Sequence, residues 1–323
     1  MQQEIRFATF NVFNLAPPGV KLYDNLVPFT PEQYEAKLAW TARQIDLLDA
    51  DVIGFQEIFS QAVLKEALAR THRYRNAIHL GFDPDPAAER LTPSVALVSR
   101  LPVVEGESMP AFPPGVAMPP GSRDPDRFTR APLHAAVAIS PDVTIDVVVV
   151  HLKSRRPDYR NGDSGEDPQL YALACLRSLV RRGTEAAALR VLMTDMGRIR
   201  KRPRVVLGDF NDVADSVTTG IVLGVGTPLA DRLFDARALQ HRSDHQQQIG
   251  FSSVHDGNYT TIDHILVSEE FNPALPNAIG EVVDVIYLND HLDLELPEAS
   301  DHGQVLARIR LFDEGHGLME AGV

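Results

Sequence analysis

From Arg204 to Val213 the chain reads RVVLGDFNDV, a β-branched apolar run that stops abruptly at Gly-Asp-Phe-Asn-Asp. Such a run is a buried strand whose end passes over to polar side chains. The strand period of two turns Asp209 and Asn211 to one side and Phe210 to the opposite, apolar side. Gly208 lets a backbone or a ligand approach the strand end closely. A carboxylate beside a neutral amide suits a phosphate ester, because the carboxylate can orient or activate a water and the amide can donate an N–H to a phosphoryl oxygen. Asp, Asn and Gly are also common turn formers, so this run alone does not decide between a site and a β-turn.

Other strand-like runs end in the same way. Ile5 to Val12 ends near Asn11. Thr30-Pro31-Glu32-Gln33 has the pattern of a capping box with Pro at the first helical position, and Leu38, Thr41, Ile45 and Leu48 follow at helical spacing. That helix delivers the chain to Asp51–Glu57, which ends in a carboxylate. Val143 to Val150 runs into His151, Tyr259 to Val267 carries Asp263, and Asp301-His302 precedes the alternating run Gln304 to Ile309.

In layered α/β proteins such strand ends gather along one edge of the sheets, where ligands bind. The collected residues are Asn11, Glu57, His151, Asp209, Asn211, Asp263, Asp301 and His302. This set is rich in oxygen donors and has no thiolate, which favours Mg2+ or Mn2+ over a structural zinc. The two histidines supply a proton relay or a positive charge for a developing oxyanion. His264 alternates away from Asp263 and is expected to be structural. Lys153 and Arg155 can steer a phosphate but stay outside the expected core site, since exposed basic residues usually contribute little.

Elsewhere, Ser60 is expected to cap a short helix to about Ala69, and Ser94–Ser99 and Leu133–Ile139 to form strands. Met109 to Gly121 holds five prolines and reads as a stiff loop, either an inert excursion or an apolar wall built from Met109, Phe112 and Met118. Asp167-Pro168 opens a helical region to about Arg200, interrupted near Gly183, with Cys175 as a small core residue. Val217 to Ser253 yields little beyond a Gly-rich patch and the polar run HRSDHQQQ.

Competing motifs fail. Asp209 to Gly220 has Val213 and Ala214 where a calcium loop requires an oxygen ligand and a glycine. His241 and His245 have helical spacing but no HExxH, so a solvated loop is expected. Ser154 lacks a GxSxG turn. No repeat or disordered linker divides the chain, and residues 1–323 are expected to form a single domain.

The acidic balance, 44 Asp and Glu against 31 Lys and Arg, counts against long non-specific contact with duplex DNA. No run of eighteen apolar residues is present, so no transmembrane segment is expected. The N-terminal MQQEIRFATFNV enters a strand pattern at once, without a basic then apolar leader. The expected location is cytoplasmic, or secreted if the chain is a mature form. Oligomeric state is left open.

TFNVFN, FQE, HLKS, GDFND, IDHILVS and SDH, in that order from Phe10 to His302, resemble the endonuclease/exonuclease/phosphatase superfamily with the deoxyribonuclease I-like fold. The resemblance implies a four-layer α/β sandwich, two mixed β-sheets packed face to face with helices outside, that hydrolyses phosphate esters with a divalent metal. It implies Glu57 as principal metal ligand, helped by Asp301 and Asn11, and Asp209 as the residue that positions or deprotonates the attacking water. Asn211 would hold a phosphate oxygen and His302 would stabilise the transition state or transfer a proton. Asp263 would orient His302, and His151 would contact the phosphate or leaving group. The expected partner is a phosphate-ester substrate, first a nucleic acid or oligonucleotide, second a phospholipid or phosphoinositide-type headgroup. A catalytically silent binder on the same fold would lack at least one of these residues, and none is missing.

Overall fold

Alternation along the first strand sets the layering. The computed structural model describes residues 3–23, 26–84, 91–160, 163–226, 231–240, 250–294 and 296–312. In chain order the first strands are β1 (Glu4–Leu15), β2 (Val52–Ile58), β3 (Ile78–Gly81), β4 (Ser94–Ser99), β5 (Val103–Ser108), β6 (Leu133–Ala138) and β7 (Thr144–His151). They are followed by β8 (Arg204–Asp209), β9 (Leu233–Asp235), β10 (Ser253–His255), β11 (Asn258–Thr260), β12 (Asp263–Ser268), β13 (Gly280–Leu288) and β14 (Gln304–Leu311). The helices are α1 (Pro31–Leu48), α2 (Gln61–Arg70), α3 (Pro168–Arg200), α4 (Val217–Leu223) and α5 (Ala236–Leu239).

One six-stranded sheet runs β13-β14-β1-β2-β4-β3 and the other β5-β6-β7-β8-β12-β9, with β10-β11 as a separate hairpin. Each large sheet is mixed, because β1 is parallel to β2 and β7 is parallel to β8 while their other neighbours are antiparallel. Ile5 and Phe7 of β1 face the core between the sheets, where they meet Leu97, Val149, Leu207 and Ile265. Ala8, Phe10 and Val12 face the other way, under Leu38, Trp40 and Ile45 of α1 and Leu64 of α2. On the far side, Val148, Val150 and Val206 lie under Ala186, Leu189 and Met193 of α3. The result is the expected four-layer sandwich with helices outside. The sheets approach so closely at Gly54 that a Cβ there would sit 2.0 Å from Leu207 Cδ1.

Most elements fall where the sequence placed them. The capping box at α1 forms, with Gln33 N donating to Thr30 Oγ1 and Thr30 N donating to Gln33 Oε1. At α2, Ser60 occupies the cap position without a side-chain bond, and Asp83 instead accepts from Gln61 N at 2.6 Å. The helix opened by Asp167 runs unbroken through Gly183 to Arg200. A 33-residue helix packed on a sheet tolerates Gly183, whose cost is only about 1 kcal/mol. Cys175 is half-buried on this helix and not a core residue.

The expected strand from Tyr259 to Val267 is two strands: β11 ends at Thr260 in the hairpin, and β12 starts at Asp263 in the main sheet. Phe112 and Met118 of the Pro-rich loop are buried with Phe128 against the α3 side of the sheet, so they form core and not a substrate wall. His241 and His245 lie outside the described residues.

Candidate active site

Three strand ends meet in one row. The parallel pairing of β7 with β8 sets His151 beside Asp209, and the antiparallel pairing of β12 with β8 sets Asp263 on the other flank. All three strands are almost wholly buried and mainly apolar, and pairing brings their ends at His151, Asp209 and Asp263 to one edge. Gly208 makes the arrangement possible. Its φ is +151°, and a Cβ would sit 2.0 Å from the Val150 carbonyl oxygen.

The facing sheet contributes through irregular backbone. The register of β1 slips between Asn11 and Leu15, and that of β2 between Phe55 and Ile58. Phe13, Asn14 and Glu57 take left-handed conformations, with φ of 55°, 59° and 63°. For an aromatic residue and a glutamate this is strained geometry of the kind that clusters at functional sites. The bulges bring Asn14 N onto Glu57 Oε2 at 2.9 Å and Phe13 N onto Asn11 Oδ1 at 3.1 Å.

Across the gap between the sheets, Asn11 Nδ2 donates to Asp209 Oδ2 at 3.1 Å. His151 Nε2 is 3.3 Å from the same oxygen. His302 Nδ1 is 2.8 Å from Asp263 Oδ2. Its Nε2 lies 3.9 Å from Asp209 and 4.0 Å from Asp301, facing both carboxylates without engaging either as a hydrogen bond. Glu57 completes the group through its electrostatic interaction with Asp301 and His302.

Asn211 arrives by a different route from the expected strand alternation. The strand ends at Asp209, and Asn211 sits in a left-handed turn at φ 54°. Its N–H donates to Asp209 Oδ1 at 2.7 Å and its Nδ2 to the Leu152 carbonyl at 2.9 Å. One hydrogen of its amide is therefore committed to the protein, and the second remains. Asp212, the last acid of the run, is a structural anchor that accepts from Arg182, Arg155 and Thr218. His264 is structural as expected, with Nε2 on the Asp212 carbonyl and Nδ1 facing Asp235.

Burial and charge separate the protonation states. Burial raises the Asp209 carboxyl to about 7, with Asp263 adding to it and His302, the Asn211 N–H and Arg130 opposing. Burial disfavours the His302 cation, yet Asp263, Asp209 and Asp301 together hold its pKa well above the ordinary histidine value. His151 goes the other way: burial, then Arg130 and His302, lower it well below that value and keep it neutral. Burial and the neighbouring Asp301 raise Glu57.

The donor chemistry fits a hard divalent cation. Glu57 and Asp301 are two carboxylates whose charges disfavour one another, the situation that a bound cation relieves. Asp209, Asp263 and His302 also bring ligand atoms within 4.8 Å of one another. In that trio, however, His302 Nδ1 is committed to Asp263 by a hydrogen bond, so closeness there reflects an oriented pair.

Several neighbours carry no sequence signal. Ser300 Oγ donates to the Asn11 carbonyl at 2.6 Å and accepts from His302 N at 3.0 Å, tying the segment that leads into β14 to the end of its neighbour β1. His291 Nε2 holds the His302 carbonyl at 2.9 Å, and the buried Lys37 holds the Ala299 carbonyl at 3.2 Å. Arg130 contacts the Leu152 carbonyl at 3.0 Å and has a buried Nε without a partner. Only its place between a Pro-rich loop and a strand could have singled it out.

The model of the Endonuclease/Exonuclease/phosphatase family matches residues 8–302. Among solved structures, the human Nocturnin catalytic domain with bound sulfate is 16% identical at TM-score 0.61, covering 96% of this chain and 98% of that one. An endonuclease/exonuclease/phosphatase from Bacteroides vulgatus is 18% identical at TM-score 0.59, covering 96% and 100%. A mannosyl-6-phosphatase from Bacteroides thetaiotaomicron is 16% identical at TM-score 0.56, covering 94% and 99%. These structures are similar in fold. No curated protein matches the sequence. With the family model spanning nearly the whole chain, this protein belongs to the endonuclease/exonuclease/phosphatase family of metal-dependent phosphoric ester hydrolases.

Proposed function

We propose that the chain hydrolyses a phosphodiester by in-line attack of a water oriented by Asp209. The observation that carries this reading is the contact of Asp209 Oδ2 with Asn11 and His151 while His302 Nε2, with Asn11 Nδ2 at 3.4 Å, faces it at 3.9 Å. Asp209 aligns the water and takes its proton. His302, kept cationic by Asp263, offers its Nε2 proton to a phosphoryl oxygen as charge develops. His151 stays neutral and can meet the phosphate or the leaving group. The free amide hydrogen of Asn211 donates to a non-bridging oxygen.

Glu57 and Asp301 would hold Mg2+ or Mn2+, which when bound neutralises charge on the phosphoryl group. Asn11 serves Asp209 better than it serves a metal. Its NH2 already donates to that carboxylate and its oxygen accepts from Phe13.

Among substrates, local charge favours a small ester over a long polyanion. Lys153 Nζ is bound to the Ser154 and Arg156 carbonyls and Ser178 Oγ, and Arg155 and Arg182 are bound to Asp212. Successive phosphates of a polymer need several available cations, which supports a short oligonucleotide or another small diester over duplex nucleic acid. The test is turnover of bis(4-nitrophenyl) phosphate and of 4-nitrophenyl phosphate with Mg2+, Mn2+ or a chelator. Diester turnover that requires metal is expected, and turnover untouched by the chelator would overturn the reading.

A further inference from the structure

An open cleft of about 410 Å3 adjoins the site, and Ser300 and Asp301 are among the residues that line it. Its volume lies within the range of roughly 300–1,000 Å3 usual for small-ligand sites. The walls are mostly aliphatic: Val254 from the β10–β11 hairpin, Leu292, Leu294, Leu296 and Pro297 from the segment after β13, and Phe13 from the bulge in β1. No lysine or arginine among the described residues lines it.

Two features set this cleft apart from ordinary surface. Leu294 and Leu296 are 57% and 39% exposed and, unlike the other exposed leucines of the chain, both line a cleft next to the site. Phe13 reaches the cleft wall from a left-handed backbone that a phenylalanine adopts only under strain. The bulge that strains Phe13 also brings Asn14 N–H onto Glu57, so cleft and site are shaped by one piece of backbone.

Resting on the phosphodiesterase reading, we propose that this cleft holds the uncharged aliphatic group of the ester substrate, on the alcohol that stays attached to the phosphate. Asp301 belongs both to the carboxylates of the site and to the cleft lining, so a group held in the cleft lies next to the site. Among the described residues the lining holds no lysine or arginine for a second phosphate, and Asp290, beside the lining residue His291, repels one. An aliphatic chain meets no such penalty and removes the exposed leucines from water.

The test compares kcat/KM for methyl, hexyl and thymidine 5′-(4-nitrophenyl) phosphates with Mg2+, using wild type and a Leu294→Ser/Leu296→Ser double variant. Both leucines are partly exposed, so the fold tolerates the change. The hexyl ester is expected to exceed the methyl ester by at least about tenfold in wild type. The variant is expected to lose that preference while turning over the methyl ester at the wild-type rate. Equal use of hexyl and methyl esters, a preference that survives in the variant, or preference for the thymidine ester over the hexyl ester would overturn the proposal. If no ester is turned over, the phosphodiesterase reading fails, and the cleft is judged by calorimetric binding of hexylphosphonate against methylphosphonate with Mg2+. A similar preference for hexylphosphonate, lost in the variant, would sustain the cleft, and equal binding would overturn it.

Discussion

Asp263 Oδ2 stands 2.8 Å from Nδ1 of His302, although the two residues are 39 apart in sequence and come from opposite sheets. The bond crosses the sandwich at its polar edge and fixes which nitrogen of His302 faces the carboxylates of Asp209 and Asp301. The imidazole's orientation therefore depends on this buried acid, which is also the strongest of the three carboxylates that favour its charge.

Replacing Asp263 with Asn is expected to keep the fold and lower kcat by about 10²- to 10⁴-fold. The same change removes the leading source of the raised His302 pKa. Its imidazole resonances should then titrate at lower pH in NMR spectra. A normal rate, or an unshifted His302 titration, would contradict the orienting role.

The pH dependence of kcat/KM should show an acid limb, because burial and Asp263 raise Asp209 to about 7 and the carboxylate form is the active one. Activity rises as pH climbs through that limb. Arg130 favours the charged forms of both Asp209 and Glu57. Arg130→Met raises both pKa values further and should displace the acid limb to higher pH. A limb that stays in place would show that Arg130 acts through packing alone.

Gly208→Ala should destabilise the protein by about 2–4 kcal/mol, since it combines an unfavourable φ with a clash against a backbone oxygen. Urea denaturation gives the value. A change below about 0.5 kcal/mol would mean that the strand end relaxes freely.

Gly183→Ala should act in the opposite sense. A Cβ at Gly183 meets nothing within 4 Å, and the helix around it is continuous. Stability should rise by about 0.5–1 kcal/mol with activity unchanged. A loss of stability would reveal a constraint on that helix turn.

What the sequence disclosed follows from which forces are local. Glu57, His151 and Asp209 were legible because each stands at or next to the end of an apolar β run, and Asp263 because it stands at the start of one; buried strands cannot continue past an unpaired polar side chain without reaching an edge. Asn211 was legible as a residue but not in its geometry, since a left-handed turn replaced the strand period. The break between Thr260 and Asp263 was hidden because both halves have β propensity and only tertiary pairing sends them to different sheets. Short edge strands such as β3 and β5 lack a periodic signal for the same reason. Ser300, His291, Lys37 and Arg130 act through backbone carbonyls or charge at long sequence separation, which no local pattern encodes.

The most direct test of the central role given to Asp209 is metal-dependent hydrolysis of bis(4-nitrophenyl) phosphate by wild type and Asp209→Ala, with circular dichroism confirming that both are folded. The expected result is turnover by wild type that requires Mg2+ or Mn2+ and falls by at least about 10²-fold in the variant. Equal turnover in a folded Asp209→Ala protein would contradict the assignment and move the reaction away from the His151–Asp209–Asp263 row.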